Sequence, residues 1–251
     1  MPRPLSEASL VTDLMNINKK INLALIIFLI NLNVSYSNPD QHNQLTEQEK
    51  REGWELLFDG EKIRGWRPYE SPTKEIKGWA IDNGTLHKPS KVRAGNIMTA
   101  KTYEDFEFSW EWKLESKGNN GVKYFITEER GEAVGHEYQM IDDSKVKDSY
   151  SSNASFYLIV KPSEEKPNRP MGTWNQSRIL VRGNHVEHWL NGVKVLEYEC
   201  GSKVIMERVP KTKFKKYPGF GKKIRGHILL TDHNDPCWYR NIKIRVLSSK
   251  K

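Results

Sequence analysis

The stretch that decides the fold of this chain is WNQSRILVRGNHVEHWLNGVKV, residues 174–195. Within it, two strand-like runs flank the dipeptide Asn191-Gly192. Asparagine and glycine readily adopt the positive φ angles that both central residues of a type I′ turn require, and this turn joins antiparallel strands. The stretch therefore predicts a tight β-hairpin in which His185 and His188 lie on opposite faces of one strand.

A period of two in apolar residues recurs along the chain and favours β-structure. Its clearest instance is FEFSWEWKL at residues 106–114, where aromatic and polar side chains alternate as expected for a strand with one buried face. Shorter alternating runs lie at residues 122–126, 137–140, 227–231 and 241–246. In the first of these, the even-numbered residues are expected to be buried. Many strands with few helical periods predict an all-β sandwich of two antiparallel sheets, with residues 203–221 left for a short helix or a long ordered loop.

Length and charge narrow the class of protein. The chain has 251 residues, a length that one sandwich domain can fill, and a formal net charge of +8. A positive net charge is compatible with a nucleic-acid partner. Much of the excess positive charge, however, lies between residues 203 and 225, and no nucleic-acid-binding motif accompanies it. A solvated basic loop is therefore favoured, and no nucleic-acid partner is expected. The two cysteines, Cys200 and Cys237, are compatible with a disulfide or with two separate buried thiols.

The N-terminal segment has the pattern of an export signal. Two lysines at residues 19–20 precede an apolar run at residues 21–32, and SYS at residues 35–37 then offers small residues at the cleavage positions. The run is shorter than a comfortable transmembrane span, and no cysteine follows it to carry a lipid. We therefore expect a signal peptide at residues 1–37, with Met15 as an alternative start, and a periplasmic or secreted protein without a stable membrane anchor. Retention of the uncleaved segment as an anchor is the alternative.

Beyond the hairpin, five further blocks of the chain resemble the 3-keto-disaccharide hydrolase family, formerly a domain of unknown function. In chain order they are GWELLFDG with GW at residues 53–66, GW through DNGTL at 78–86, GNNGVKYF at 118–125, EYQMIDD at 137–143, and GHILLTDH with RNI at 226–242. The resemblance implies a concanavalin A-like jelly-roll β-sandwich at residues 53–247. A linker at residues 38–52 would precede this domain, and a tail at residues 248–251 would follow it.

The resemblance also implies chemistry on 3-keto sugars. A ketone at C3 of a sugar acidifies the proton at C2, so that a general base can form an enolate and expel the substituent at C1. Water can then add back and complete a net hydrolysis. Such a site needs a carboxylate or imidazole at C2, a cation or hydrogen-bond donor near the C3 oxygen, and an aromatic wall for the sugar ring.

Strand alternation selects candidates for this chemistry. If Tyr138 and Met140 point into the core, Glu137 and Gln139 project from the opposite face of their strand. Lys123 projects in the same way from the run at residues 122–126. These side chains are expected on one sheet face, where Glu137 would be a base and Lys123 an enolate donor. The alternative for the two charges is an ordinary cross-strand ion pair on a solvated face.

The C-terminal blocks add two further catalytic candidates. His233 follows a strand in a turn-rich context, where an imidazole can act as acid or base near neutral pH or can simply cap the turn. Arg240 would stabilise an enolate, or would pair with Asp232 or Asp235. The resemblance further supplies the candidate substrate-binding residues, which are Asn120, Gln139, Asp142, Tyr157, Trp174 and Asp232.

No cofactor is required by this chemistry, although a divalent cation such as calcium is compatible with the sequence. The carboxylates of Asp142, Asp143, Asp232 and Asp235 offer oxygen ligands of the kind that calcium prefers. No twelve-residue loop or other ligand spacing singles them out. A metal site is therefore not predicted.

Two classes of function stay open at this point. The first is an exported enzyme that cleaves 3-keto glycosides, and the second is a noncatalytic carbohydrate-binding module on the same sandwich. The chain carries FYLIV at residues 156–160 where many family members carry LYDLI, and TDHN at residues 231–234 where they carry QDHG. Both changes fall at the expected rim of the site. The retained acid, base and cationic candidates favour the enzyme, because a binding module needs no acid and base.

Overall fold

The computed structural model describes residues 42–248, which form a β-sandwich of two antiparallel sheets. Two short α-helices, α1 (Glu47–Arg51) and α2 (Lys203–Arg208), accompany the strands. The strands are β1 (Trp54–Leu56), β2 (Trp66–Pro68), β3 (Ala80–Asp82), β4 (Thr85–Lys88), β5 (Ile97–Thr99), β6 (Phe106–Leu114), β7 (Asn119–Ile126), β8 (His136–Ile141), β9 (Asn175–Arg182), β10 (His185–Leu190), β11 (Val193–Glu199), β12 (His227–Leu230) and β13 (Cys237–Val246).

The larger sheet has eight strands and the smaller sheet has five. The larger sheet runs in the order β11, β10, β9, β6, β13, β4, β3, and β1 pairs with β13 beyond the end of β4. The smaller sheet runs in the order β2, β5, β12, β7, β8. All these pairings are antiparallel, so the prediction of an all-β jelly-roll sandwich with two antiparallel sheets is confirmed.

The predicted hairpin is formed by β10 and β11. Asn191 and Gly192 both have positive φ, at 46° and 86°, and they connect two strands that pair directly on either side of the turn. His188 is fully buried between the sheets, whereas His185 lies on the opposite face of β10. The hairpin therefore has the strand register that the turn dipeptide predicts, and His185 and His188 lie on opposite faces of β10 as expected.

The core is unusually aromatic, and β6 supplies its centre. Trp110 and Trp112 are fully buried, and the Trp110 ring meets the Tyr138 ring of the other sheet edge-on at 5.0 Å between centroids. The indole N–H of Trp112 donates to Ser177 Oγ at 2.8 Å, so the polar atom of this buried ring is satisfied. Burial of one such ring removes about 150–250 Å² from water, which corresponds to about 4–6 kcal/mol of transfer free energy. These rings hold the two sheets together.

A chain of buried hydrogen bonds also crosses between the sheets. His188 Nδ1 lies 2.9 Å from the carbonyl oxygen of Ala154, which can only accept, so Nδ1 carries the proton and Nε2 accepts from the Tyr124 hydroxyl at 2.7 Å. The Tyr124 oxygen in turn accepts from Tyr198 at 2.8 Å, and Tyr198 accepts from His136 Nδ1 at 2.7 Å. Burial lowers the pKa of His188 to about 4 and that of His136 well below its usual range. Both imidazoles are therefore neutral at pH 7.

One strand departs from the predicted alternation. Phe125 in β7 has a φ of 59°, and the pairing register between β7 and β12 shifts at this point. An extra residue of this kind inverts the alternation beyond it. Tyr124 and Phe125 both enter the main core, while Ile126 packs with Met98 and Leu229 on the other face of the smaller sheet. The prediction that Ile126 shares the inner face was therefore wrong.

The segment before β1 is attached to the sandwich from residue 42 onward. Asn43 is buried, its backbone N–H donates to Asn241 Oδ1 at 2.6 Å, and its side chain donates to the Gly84 carbonyl at 2.8 Å. Helix α1 follows and begins with a capping box between Thr46 and Glu49. The described part of the predicted linker is thus held by specific hydrogen bonds. The predicted signal peptide at residues 1–37 lies outside the described residues.

Two remaining expectations concern thiols and membranes. Cys200 and Cys237 are both free and buried, so of the two alternatives the separate thiols are observed. Within residues 42–248, no helix combines the length and the apolar character that crossing a membrane would require.

Candidate active site

The outer face of the smaller sheet carries the candidate site. In the antiparallel pair β7 and β8, Lys123 lies opposite Glu137 and Gly121 lies opposite Gln139. Since Tyr138 is buried in the main core, its neighbours on β8 must project from the other face. The predicted clustering of these side chains on one face is therefore present in the structure.

Glu137 is a buried carboxylate without a partner. Its residue is only 6% exposed, yet within residues 42–248 its side chain has neither a hydrogen bond nor an ion pair. Lys123, directly across the ladder, instead donates to the carbonyl of Ala133 at 3.1 Å. The alternative interpretation of the two charges as a cross-strand ion pair is therefore not supported, and the Glu137 carboxylate is left for the cleft that it lines. Such an unpaired carboxylate is typical of a functional site.

A glycine makes room for this carboxylate. A Cβ atom added to Gly121 would lie 2.5 Å from Glu137 Oε1, well inside van der Waals contact. The carboxylate therefore rests directly on the backbone of β7. Any larger residue at position 121 would push the Glu137 carboxylate away from its place.

The carboxylate faces a cleft closed on one side by the segment that follows α2. The cleft has a volume of about 290 Å³, and Lys213, Phe214 and Tyr217 of this segment line it together with Glu137. Phe214 is buried and stacks on Phe220 at 4.2 Å between centroids, which fixes the segment against the sandwich. The cleft thus combines an acid, cations and aromatic rings.

His233 lies within electrostatic reach of the same carboxylate. Burial lowers the pKa of His233, the negative charge of Glu137 opposes this effect, and the positive charge of Lys123 adds to it. The net direction is downward, so His233 is neutral near pH 7 and can accept a proton. Lys123 and Glu137 therefore share the cleft lining, and His233, which is not part of that lining, lies near enough for both charges to affect its pKa.

Gln139 and Tyr157 are also placed at this face. The Gln139 amide donates to Asn119 Oδ1 at 2.9 Å, which fixes the side chain beside Glu137 on the strand. The backbone N–H of Tyr157 donates to the Glu137 carbonyl at 3.1 Å. Burial, and after it the charge of Glu137, raises the pKa of the Tyr157 hydroxyl. Both residues therefore neighbour Glu137, but neither is part of the cleft lining, and their role in substrate binding stays a prediction.

Arg240 and Trp174 lie elsewhere. Arg240 belongs to β13 of the larger sheet, where it faces Glu111 on β6 and its Nε donates to that carboxylate at 2.7 Å. Its guanidinium covers the Trp174 ring at 4.0 Å from the centroid. The prediction that Arg240 acts on the same face as Glu137 was wrong, because alternation within β13 turns it to the outer face of the other sheet. Trp174 accompanies it there.

Asn120 and Asp142 are engaged in structural contacts. The Asn120 side chain is fully buried, and its oxygen accepts hydrogen bonds from Thr231 Oγ at 2.7 Å and Tyr239 at 3.1 Å, so it points between the sheets rather than toward the cleft. Asp142 caps the turn after β8 and accepts from the backbone N–H of Lys117 at 2.8 Å. This backbone hydrogen bond is the largest contribution that lowers the pKa of Asp142.

Asp232 is likewise occupied, although it neighbours His233 in the chain. Its carboxylate accepts from the backbone N–H groups of Ala94 and Gly95, both at 2.8 Å. It also pairs with the fully buried ammonium of Lys88 at 3.0 Å. Asp232 therefore anchors the turn that presents His233.

The four aspartates considered as calcium ligands are engaged separately. Asp143 pairs with Lys166 at 2.7 Å, and Asp235 accepts from the backbone of Asn119 at 3.0 Å. Within the described part of the chain, the side chains that bring three ligand-type atoms close together are instead those of His185, Glu187 and Glu197. Lys194 binds both of these glutamates, so the group is an exposed ion-pair cluster.

Sequence reasoning missed Gly121 and the residues that close the cleft. Gly121 lies in one of the matched blocks. Only the structure shows that the Glu137 carboxylate occupies the space that a side chain at position 121 would need. Lys213, Phe214 and Tyr217 were part of the segment interpreted as a solvated basic loop. Their signal was the alternation of aromatic and basic residues in KFKKY at residues 213–217.

Comparison with known proteins supports, as the class of protein, a carbohydrate-active enzyme of the glycoside-hydrolase type. Residues 53–245 match the family described as 3-keto-alpha-glucoside-1,2-lyase-like domain, and the chain belongs to that family. The resemblance noted in the sequence is thus confirmed.

Individual relatives agree with this assignment. A 3-keto-disaccharide hydrolase of Bacteroides thetaiotaomicron is 30% identical over 231 residues, which span 78% of this chain and 79% of that protein. A crystal structure of a proposed glycosyl hydrolase from Parabacteroides distasonis is 32% identical, covers 83% of this chain and 100% of its own, and has a TM-score of 0.75. A second structure so described from the same organism is 25% identical, covers 77% of this chain and 99% of its own, and has a TM-score of 0.62.

Proposed function

We propose that this protein cleaves 3-keto glycosides, with Glu137 as the base that removes the proton at C2. The observation that carries the proposal is the buried carboxylate of Glu137, which has no hydrogen bond or ion pair within residues 42–248 and faces the cleft. A carboxylate freed from structural bonds is available to a substrate. The relative named as a 3-keto-disaccharide hydrolase supports the substrate class.

The proposed reaction begins with transfer of the C2 proton to Glu137, which leaves an enolate at C2 and C3. Lys123 lies across the ladder from Glu137 and would donate to the enolate oxygen, an interaction that strengthens as negative charge develops. The C1–O bond then breaks, the electron pair leaves with the oxygen, and Glu137 returns its proton to this departing oxygen. The sugar remains as an unsaturated ketone and the leaving group departs as an alcohol.

Net hydrolysis requires a second stage. Neutral His233 would remove a proton from water as the water oxygen attacks C1, and the proton returned to C2 restores the saturated 3-keto sugar. Elimination and hydration leave the oxidation state of the substrate unchanged. The proposed reaction therefore calls for no redox cofactor.

The test is turnover of 3-keto glucosides and of their unoxidised parents by wild type and Glu137→Gln. The substitution preserves shape and removes the base, so kcat should fall about 10²- to 10⁴-fold. The melting temperature should change little, because the substituted side chain keeps its shape and loses no hydrogen bond or ion pair within residues 42–248. Glu115→Gln, at an exposed glutamate after β6, is the matched control and should leave turnover unchanged.

Two outcomes would overturn the proposal. Full activity of Glu137→Gln on a 3-keto substrate would remove Glu137 from the chemistry. Equal turnover of oxidised and unoxidised sugars would indicate an ordinary glycosidase. If sugars bind at the cleft and no 3-keto glycoside is turned over, the protein is a noncatalytic carbohydrate-binding module.

We also propose that the protein is exported, on the basis of the signal-like pattern at residues 1–37. N-terminal sequencing of the protein isolated from its native cell should give a mature chain that begins near Asn38. A cytoplasmic protein that retains residues 1–37 would contradict the export proposal.

A further inference from the structure

The cleft that holds Glu137 adjoins a second, larger cavity. This cavity has a volume of about 650 Å³ and shares Glu132, Lys216 and Tyr217 with the cleft. The three shared side chains form a wall, in which the Lys216 ammonium pairs with Glu132 at 3.1 Å and the Tyr217 hydroxyl donates to the same carboxylate. A ligand that enters the cleft can therefore extend past this wall into the larger cavity.

Unpaired positive charge lines both spaces. Lys213 in the cleft and Lys222 in the larger cavity have no carboxylate within 4.0 Å among residues 42–248, in contrast to Lys223, which pairs with Asp105. The Lys213 ammonium lies 4.8 Å from the centroid of the Tyr157 ring, so a cation–π contact holds it toward the sheet.

The other unpaired charges do not cancel this excess. Arg130 lines the larger cavity and donates to the backbone carbonyl of Val134 at 2.9 Å, and Lys123 lines the cleft. Against these four cations stand two lining carboxylates without a cationic partner in the described chain, Glu129 and Glu137. The combined surface is therefore net positive.

We propose that the leaving group of the substrate carries an anionic substituent, such as a carboxylate, which Lys213 and Lys222 recognise. This inference rests on the proposed function, since it is Glu137 acting at C2 that defines the direction of the substrate. The leaving group is attached to C1, next to C2, and therefore starts beside Glu137, from where it can reach Lys213 in the cleft and pass the shared wall toward Lys222. The basic segment at residues 203–225 would then determine specificity for the leaving group.

The experiment compares two 3-keto glucosides whose leaving groups have the same shape, 4-hydroxybenzoate and 4-hydroxybenzamide. We expect wild type to have the higher kcat/KM on the carboxylate, and Lys213→Gln to reduce the carboxylate-to-amide ratio about two- to fivefold, as for one exposed ion pair. Comparison with wild type cancels the different intrinsic reactivities of the two leaving groups. The ratio should also fall in 0.5 M NaCl, because salt screens exposed charges.

Lys215→Gln is the matched control, since Lys215 lies in the same segment but is not part of either lining. An equal effect of Lys215→Gln and Lys213→Gln would assign the preference to overall charge and overturn the proposal, as would a ratio that Lys213→Gln leaves unchanged. If neither keto glucoside is turned over, the proposed function fails, and calorimetry with the same two compounds still decides the present inference. Equal affinity for both in wild type would then refute it.

Discussion

Acidification should destabilise this protein through the imidazole of His188. The folded state holds the pKa of His188 at about 4, because the ring is buried, against about 6.5 for an exposed histidine in the unfolded chain. Above pH 6.5 the ring is neutral in both states and its native hydrogen bonds are intact. As the pH falls from 6.5 toward 4, His188 binds a proton in the unfolded state but stays neutral in the folded state. The free energy of unfolding therefore decreases.

The size of the effect follows from these two values. Proton linkage with pKa values of about 4 and about 6.5 gives a loss of about 2 kcal/mol at pH 5 and about 3 kcal/mol at pH 4. Within the same hairpin, His185 should act in the opposite direction. Burial lowers its pKa, but hydrogen bonds to Glu199 and Glu187 outweigh burial and raise it. The stability that His185 contributes is therefore present below pH 6.5 and is lost as the pH rises through its raised pKa.

The assay is urea unfolding at pH 7 and pH 5, followed by tryptophan fluorescence, for wild type, His188→Gln and His185→Gln. The difference in unfolding free energy between the two pH values should shrink by about 2 kcal/mol in His188→Gln. In His185→Gln, the decrease in unfolding free energy from pH 7 to pH 5 should instead be larger than in wild type. A His188→Gln variant that loses as much stability between pH 7 and pH 5 as wild type would refute the assignment of a neutral, buried imidazole.

Two further predictions follow from the site and the core. Gly121→Ala should lower kcat on a 3-keto glucoside at least tenfold with little change in melting temperature, because the added methyl group displaces the Glu137 carboxylate while no positive φ is strained; wild-type kinetics would show that the carboxylate does not need this position. Burial raises the pKa of the Cys200 thiol to about 12, and burial also raises the pKa of the Cys237 thiol. The native protein should therefore not react with Ellman's reagent, whereas the urea-unfolded protein should show two thiols. Rapid reaction of the native protein, or fewer than two thiols after unfolding, would contradict this.

Local pattern predicted the parts of the fold and site that depend on neighbouring residues. The period of two around Tyr138 placed Glu137 on the outward face of β8, and the Asn191-Gly192 dipeptide fixed the hairpin. The same pattern shows on which face of a strand a residue lies, but not in which sheet that strand pairs. Arg240 was misplaced for this reason, since its partner Glu111 is 129 residues away in the chain.

Two other features had no local signal. The positive φ of Phe125 inverts the alternation of β7. The residue type does not predict this φ, because phenylalanine rarely adopts the left-handed region of backbone conformation. The cleft is closed by the segment at residues 213–217, which follows Glu137 in the chain only after three intervening strands, β9 to β11. Such a contact between distant segments depends on tertiary packing rather than on local sequence.

The positions of the last two strands have a consequence for how the chain folds. β12 lies between β5 and β7 in one sheet, and β13 lies between β6 and the strands β4 and β1 in the other. Each sheet is thus completed at its interior by a strand from residues 227–246, which follow all the other strands in the chain. During synthesis, the earlier strands leave both sheets divided until residues 227–246 have emerged. Folding of the sandwich must therefore wait for the synthesis of residues 227–246, and a chain that ends before β12 would expose strand edges in both sheets instead of forming a smaller stable domain.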